Sequence, residues 1–119
     1  CYQSEFRKLL PGEAVRNSIL ADYKVGARKR GLVWDISEQS FNKLINDNCY
    51  FCGAQPSTVR AAKRCNGDLT YNGIDRLDNT VGYIQTNVVS CCKICNRAKC
   101  NLPIDSFLEW IKNIKDYNG

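Results

Sequence analysis

The sequence contains no histidine at all. That absence removes the side chain most often used as a general base near neutral pH. Nowhere does it approach the roughly 18 uninterrupted apolar residues that a membrane span needs. No internal repeat or low-complexity run interrupts it. The opening CYQSEFRKLLPGEAV lacks the charged-then-apolar order of a secretory leader. The expectation is therefore a soluble, intracellular protein with no membrane partner. A start without Met leaves room for a longer parent chain. At 119 residues, one domain with a small core is expected, 1–119, of a size that often needs a staple.

Cysteine is what the chain has in excess, with eight residues. Such a count fits either a secreted disulfide framework or a metal site. Four of the eight form two tight pairs, CYFC (Cys49, Cys52) and CKIC (Cys92, Cys95). A disulfide scaffold has no reason to cluster cysteines in this way, whereas a tetrahedral zinc site does. Four thiolates would close the coordination sphere, so this zinc is expected to be structural rather than catalytic. Cys91 could stand in for Cys92, although the spacing to Cys95 favours Cys92. Cys1, Cys65, Cys91 and Cys100 show no rhythm and read as reduced bystanders. A redox role for the pairs is the competing reading, and it predicts freely titrating thiols.

Lysine and arginine number 17 against 12 acidic residues, a formal net charge of +5. Zinc on four thiolates would lower that by about two units. A mild basic excess fits a polyanionic partner without proving one.

Apolar residues recur every fourth position at Val15, Ile19, Tyr23 and Ala27, which predicts a helix over 13–30. Arg28, Lys29 and Arg30 suit its C-terminus, and Gly31 its stop. A short extended piece, Leu32-Val33-Trp34, leads to Ser37, a cap for a second helix burying Phe41, Leu44 and Ile45. The stretch 54–70 reads as a polar, basic loop. YNGIDRL, the turn DNTVG and YIQTNVVS then predict a hairpin. Helical character begins around the second knuckle. Pro103 opens a last helix whose apolar face carries Ile104, Phe107, Leu108, Ile111 and Ile114. All three stripes are read as core packing.

The separation of the knuckles is unusual. A zinc ribbon places roughly 15–20 residues between its pairs, yet here the whole stretch 53–91 intervenes. Its segments NGIDRLDN and GYIQTNVV, followed by CCKICNRAK, resemble the HNH, or ββα-metal, nuclease superfamily over about half the chain, from Cys49 to Trp110. Phage-encoded members look especially similar, extending to YKVGARKRGL, FNKLI and the FLEWI-like helix. The resemblance implies an α+β fold: a small zinc-stapled domain with a ββα-metal core flanked by helices. Its parts would be a helical region 1–48, the knuckles and motif 49–100, and a C-terminal helix 101–119. It also implies that Asp75 and Asn96 hold a catalytic divalent ion, and that Asn87 braces the loop between strand and helix. A carboxylate and an amide oxygen are hard ligands suited to Mg²⁺, Mn²⁺ or Ca²⁺, with water and phosphate completing the shell.

One departure from the family is serious, because its usual histidine base is Arg76 here. A guanidinium stays protonated and cannot take a proton from water. Three outcomes stay open: a dead nuclease that keeps its grip on DNA, activation by the metal or bulk water, or a tyrosine nucleophile. The last occurs in a restriction enzyme of the family whose site also reads Asp-Arg. Tyr71, four residues before Asp75 on what reads as one strand, would share its face; Tyr50 and Tyr83 are the other candidates. Arg76 suits a phosphate clamp. Arg97 and Lys99 after Asn96, Arg60, Lys63 and Arg64 in the loop, and Arg30 ending the first helix are candidate DNA contacts. Such contacts position DNA without specifying sequence.

The expected function is thus a metal-dependent endonuclease on DNA, double-stranded by preference, with structural Zn²⁺ and catalytic Mg²⁺ or Mn²⁺. A homodimer is one way to gain sequence reading. The expected setting is the cytoplasm of a bacterial or virus-infected cell. The alternative is a catalytically inactive zinc module that binds nucleic acid.

Overall fold

The computed structural model describes residues 12–61 and 67–119. Lys63, Arg64, Cys1 and Cys65, named above, lie outside those residues. Helix α1 runs Glu13–Lys29 and buries Val15, Ile19 and Ala27, as the four-residue rhythm predicts. It ends in a Schellman motif. Leu32 N donates to Ala27 O and Gly31 N to Arg28 O, while Gly31 takes the left-handed φ of 68°.

Strand β1 (Trp34–Asp35) follows, then helix α2 (Glu38–Asn46). Ser37 caps α2 by accepting a hydrogen bond from Ser40 N at 3.1 Å. Phe41 and Ile45 are buried along α2, with Leu44 packed beside them. Phe41, Trp34, Tyr23 and Tyr83 form an aromatic cluster with centroid separations from 5.1 to 6.2 Å. Fully burying a Phe contributes about 3 kcal/mol at most, so four interlocked rings are a large part of so small a core.

The basic stretch expected as loop contains strand β2 (Thr58–Arg60), which pairs antiparallel with β3 (Leu69–Tyr71). Strand β4 (Gly73–Arg76) is separate, because Asn72 leaves the ladder. Asn72 is fully buried; its N–H donates to Ile45 O, and its Nδ2 donates to Asp47 O and Ala54 O. Tyr71 and Asp75 therefore do not share one strand, contrary to expectation.

The hairpin is also more broken than the β-branched run suggests. Tyr83–Ile84 form β5, which pairs in parallel with β1 across the chain. A 3₁₀ turn over Gln85–Asn87 intervenes before β6 (Val88–Cys91), which pairs antiparallel with β4 in the register Asp75↔Val89. Close approach makes β4 possible: a Cβ on Gly73 would stand 2.9 Å from the Tyr23 hydroxyl, which accepts a hydrogen bond from Ile74 N.

Helix α3 (Lys93–Lys99) starts at the second knuckle, and α4 (Ile104–Asn118) completes the chain. On α4 the core-packing expectation fails. Only Phe107 is buried, against Phe51, while Leu108, Trp110, Ile111 and Ile114 are each between 42% and 47% exposed. Ile104 is half-buried, and the rest of the apolar stripe lies open. Among the described residues no helix is long and apolar enough to cross a membrane.

Candidate functional site

The two knuckles meet. The Sγ atoms of Cys49, Cys52, Cys92 and Cys95 all lie within 4.8 Å of one another. The Cys52 and Cys92 sulfurs are 3.7 Å apart. Four sulfurs at a Zn–S distance near 2.3 Å, set tetrahedrally, would be separated by about 3.8 Å. The donor set and its dimensions therefore fit zinc. Local backbone geometry produces the cluster. Gly53 N donates to Cys49 O in the first knuckle. In the second, Cys92 caps α3 and its sulfur accepts from Cys95 N.

Burial alone would push the Cys49 thiol up. The backbone amides of Cys92, Cys52 and Phe51 outweigh that and lower it to about 6. Cys95 is pushed up by burial and by its neighbouring sulfurs. One sulfur holding charge while another resists it is what crowded thiols do without a cation among them. Cys91, the alternative ligand, is buried in β6 and outside the four-sulfur cluster; burial and Asp75 push its thiol up.

Helix α3 also contributes to a cleft of about 380 Å³. Asp75 and Arg76 reach it from β4, Tyr71 from β3, Arg60 from β2, Asn96 from α3 and Arg30 from the end of α1. With Tyr83 from β5, seven of the site residues singled out in the sequence are thus brought to one place. Tyr71 arrives there from its own strand, so the shared cleft does not depend on strand alternation. The cleft also takes in Asn79, Asn101 and Asp22, which sequence reasoning missed. Asn79, within DNTVG, read only as turn chemistry, and its Nδ2 donates to Asn101 O.

Arg76 is anchored before it meets any ligand. Its Nη1 donates to Asn79 O at 2.7 Å and to Val81 O at 3.0 Å, and its guanidinium lies over the Tyr83 ring. Tyr83, one of the candidate nucleophiles, is buried, and its hydroxyl accepts from Arg30 Nη2 at 2.9 Å. Tyr50 is 61% exposed beside the first knuckle and does not line the cleft. Tyr23 does line it, but burial pushes its phenol up to about 12, so it stays protonated. Arg60 donates to Asp22 Oδ2 at 2.7 Å, and that bond, with Tyr71 close by, raises the pKa of its guanidinium further. Arg60 is thus a cation in contact range of the Tyr71 phenol.

Two expectations need correction. Lys99 is not a surface cation: it is fully buried, 3.0 Å from Asp75 Oδ2, and donates to Arg76 O. Asn87 does not line the cleft. Its Oδ1 accepts from Asp78 N, and its Nδ2 donates to the carbonyls of Asp78, Val81 and Gly82. It braces the loop between β4 and β5, not one between strand and helix, and so holds Arg76 indirectly. Arg97 is exposed on α3 but outside the cleft.

No family model matches the chain. A protein of Acanthamoeba polyphaga mimivirus is 36% identical over 105 residues, which is 85% of this chain and 18% of that protein. The chain thus spans under a fifth of its relative's length. Among solved structures, the rare-cutting HNH restriction endonuclease PacI superposes with a TM-score of 0.60 at 22% identity. The match covers 86% of this chain and 78% of PacI. The expected HNH-type α+β fold, with four clustered cysteines, is the fold found.

Proposed function

We propose that the chain is a metal-dependent endonuclease of the HNH type, hydrolysing phosphodiester bonds in DNA around a structural zinc held by four cysteines. The observation that carries this reading is the shared cleft. Asp75 and Asn96 offer hard oxygen donors beside the guanidinium of Arg76 and the phenol of Tyr71. These residues fit a Mg²⁺ or Mn²⁺ ion, which when bound supplies charge stabilisation at phosphorus and at the departing oxygen.

The protein's own groups do the rest. The Arg76 nitrogens not engaged by Asn79 and Val81 face a phosphate as a pre-oriented clamp. Arg60 and Arg30 add positive charge along the same cleft. With no histidine in the chain, Tyr71 is the nucleophile. Arg60 supplies positive charge beside it; the phenol gives its proton to solvent, and its oxygen attacks phosphorus and displaces one sugar oxygen, which takes up a proton. Water then hydrolyses the phosphotyrosyl ester. Double-stranded DNA bound by two copies of the chain would present one cleft to each strand.

The open face of α4 supports such a homodimer. Its charged flank carries Asp105, Glu109 and the ion pair of Lys112 with Asp116 at 3.1 Å. Pairing of two α4 helices would cover Leu108, Ile111 and Ile114. In this reading residues 1–119 act as one domain, inside a bacterial or virus-infected cell.

Supercoiled plasmid incubated with the zinc-loaded protein and Mg²⁺ or Mn²⁺ tests the proposal. Nicking or linearisation is expected, and Asp75→Ala should abolish it with zinc content intact. The second reading is a zinc module that binds nucleic acid without cutting, favoured by the ion pair that already occupies Asp75. Equal DNA binding by both proteins, with cleavage by neither, would establish it instead.

A further inference from the structure

Lysine is among the residues least often fully buried, yet Lys99 has no exposed surface at all. Its position is over-determined. It is the last residue of α3, three after Asn96, and so on the same helix face. Its Nζ donates to Arg76 O at 3.1 Å, tying α3 to β4 at the residue next to Asp75. The same nitrogen stands 3.0 Å from Asp75 Oδ2, but no in-line hydrogen bond reaches that oxygen. The directed bond goes to the carbonyl, and the carboxylate receives charge.

We infer that Lys99 is a positioning residue that serves as the resident counter-cation of Asp75, fixing the carboxylate at the cleft and holding down its affinity for a divalent ion. This rests on the reading of Asp75 and Asn96 as the ion-binding pair. A buried carboxylate without compensation would be costly. Lys99 supplies that compensation from behind, while the cleft side stays accessible to an arriving ion. A divalent ion then meets a pair that is neutral overall, not a bare negative charge. It is also repelled by an ammonium in direct contact with its own ligand. The device keeps the cleft assembled between ions and makes binding weak and readily reversed.

Mn²⁺ binding to the zinc-loaded protein without DNA, followed by the electron paramagnetic resonance of free Mn²⁺, provides the test. Lys99→Met keeps the length of the side chain and removes the charge. It is expected to bind Mn²⁺ at least tenfold more tightly than the unmodified protein, and Asp75→Ala in either background should abolish the binding. A purely structural lysine would do the opposite, since loosening the site weakens binding. Unchanged or weaker affinity in a Lys99→Met protein that retains its zinc and its circular dichroism spectrum overturns the inference. Absence of Asp75-dependent Mn²⁺ binding in every variant sinks the ion-site reading and this inference with it.

Should Lys99→Met fail to fold, the unmodified protein still decides the matter. The ¹⁵Nζ resonance of its buried ammonium should move on titration with Mg²⁺. Saturation of the Asp75 site without any movement of that resonance counts against Lys99.

Discussion

The four-sulfur cluster and the cleft share one short helix, yet they are built in different ways. The cluster draws four identical soft donors from two local knuckles, and once filled it has no open position. The cleft draws unlike groups from α1, β2, β3, β4 and α3, and every charged group in it has another engagement. Arg76 is held by loop carbonyls, Arg60 by Asp22, Arg30 by Tyr83 and Asp75 by Lys99. A structural site is closed and redundant in chemistry. A reactive one must hold its groups firmly while leaving a face free for a substrate. Helix α3 couples the two, with Cys92 and Cys95 at one end and Asn96 and Lys99 at the other.

The largest effect should come from the cluster. Structural zinc sites contribute roughly 10–16 kcal/mol of apparent binding free energy, against about 5–15 kcal/mol for the net stability of a domain. Cys92→Ala, or stripping by a strong chelator, should therefore unfold the chain and not merely inactivate it. Loss of the far-ultraviolet circular dichroism signal together with zinc is expected. A Cys92→Ala protein that stayed folded and cleaved DNA would remove the cluster from its structural role.

Within the cleft, effects should fall on activity and spare stability. Tyr71→Phe is expected to lower plasmid cleavage at least a hundredfold, and a denaturing gel should lose a covalent protein–DNA adduct seen with the unmodified chain. Tyr50→Phe, outside the cleft, should stay within twofold. Equal cleavage by Tyr71→Phe and the unmodified protein would turn attention to water activated without a side-chain base.

Asn87 stands between the two kinds of site. Its four hydrogen bonds close the 78–82 loop, whose carbonyls in turn hold Arg76. Asn87→Ala leaves several buried polar groups unpaired and should destabilise the fold by about 3 kcal/mol. Urea unfolding measures that directly. Activity should fall as well at temperatures where the variant is fully folded, because the clamp loses its support.

The contrast also explains what could be read from residue order. Knuckles, the Ser37 cap and the end of α1 at Gly31 are signals that span a few residues, and each is found where its local chemistry predicts. The cleft assembles groups from residues 19 to 101, which no spacing rule connects; resemblance to a family supplied Asp75 and Asn96. The pairing of β1 with β5 is parallel and distant, so YIQTNVVS gave no hint that it would break in two. Lys99 in CNRAK looks like any helix-end cation, and only the fold turns it beneath Asp75.

Helix α4 marks the limit of that kind of reading and carries the smallest expected effect on stability. Its apolar stripe is as regular as that of α1, but periodicity tells which face is apolar and not what covers it. Val15 and Ile19 on α1 are buried, whereas Ile111 and Ile114 on α4 stay more than 40% exposed. Ile111→Glu should accordingly change the unfolding free energy of the isolated chain by less than about 0.5 kcal/mol. The matching change on α1, Ile19→Glu, buries an unpaired charge and should prevent folding. If α4 pairs with its copy, Ile111→Glu should nonetheless shift sedimentation from dimer to monomer. A chain that sediments as a monomer at all accessible concentrations would leave the α4 stripe without this partner.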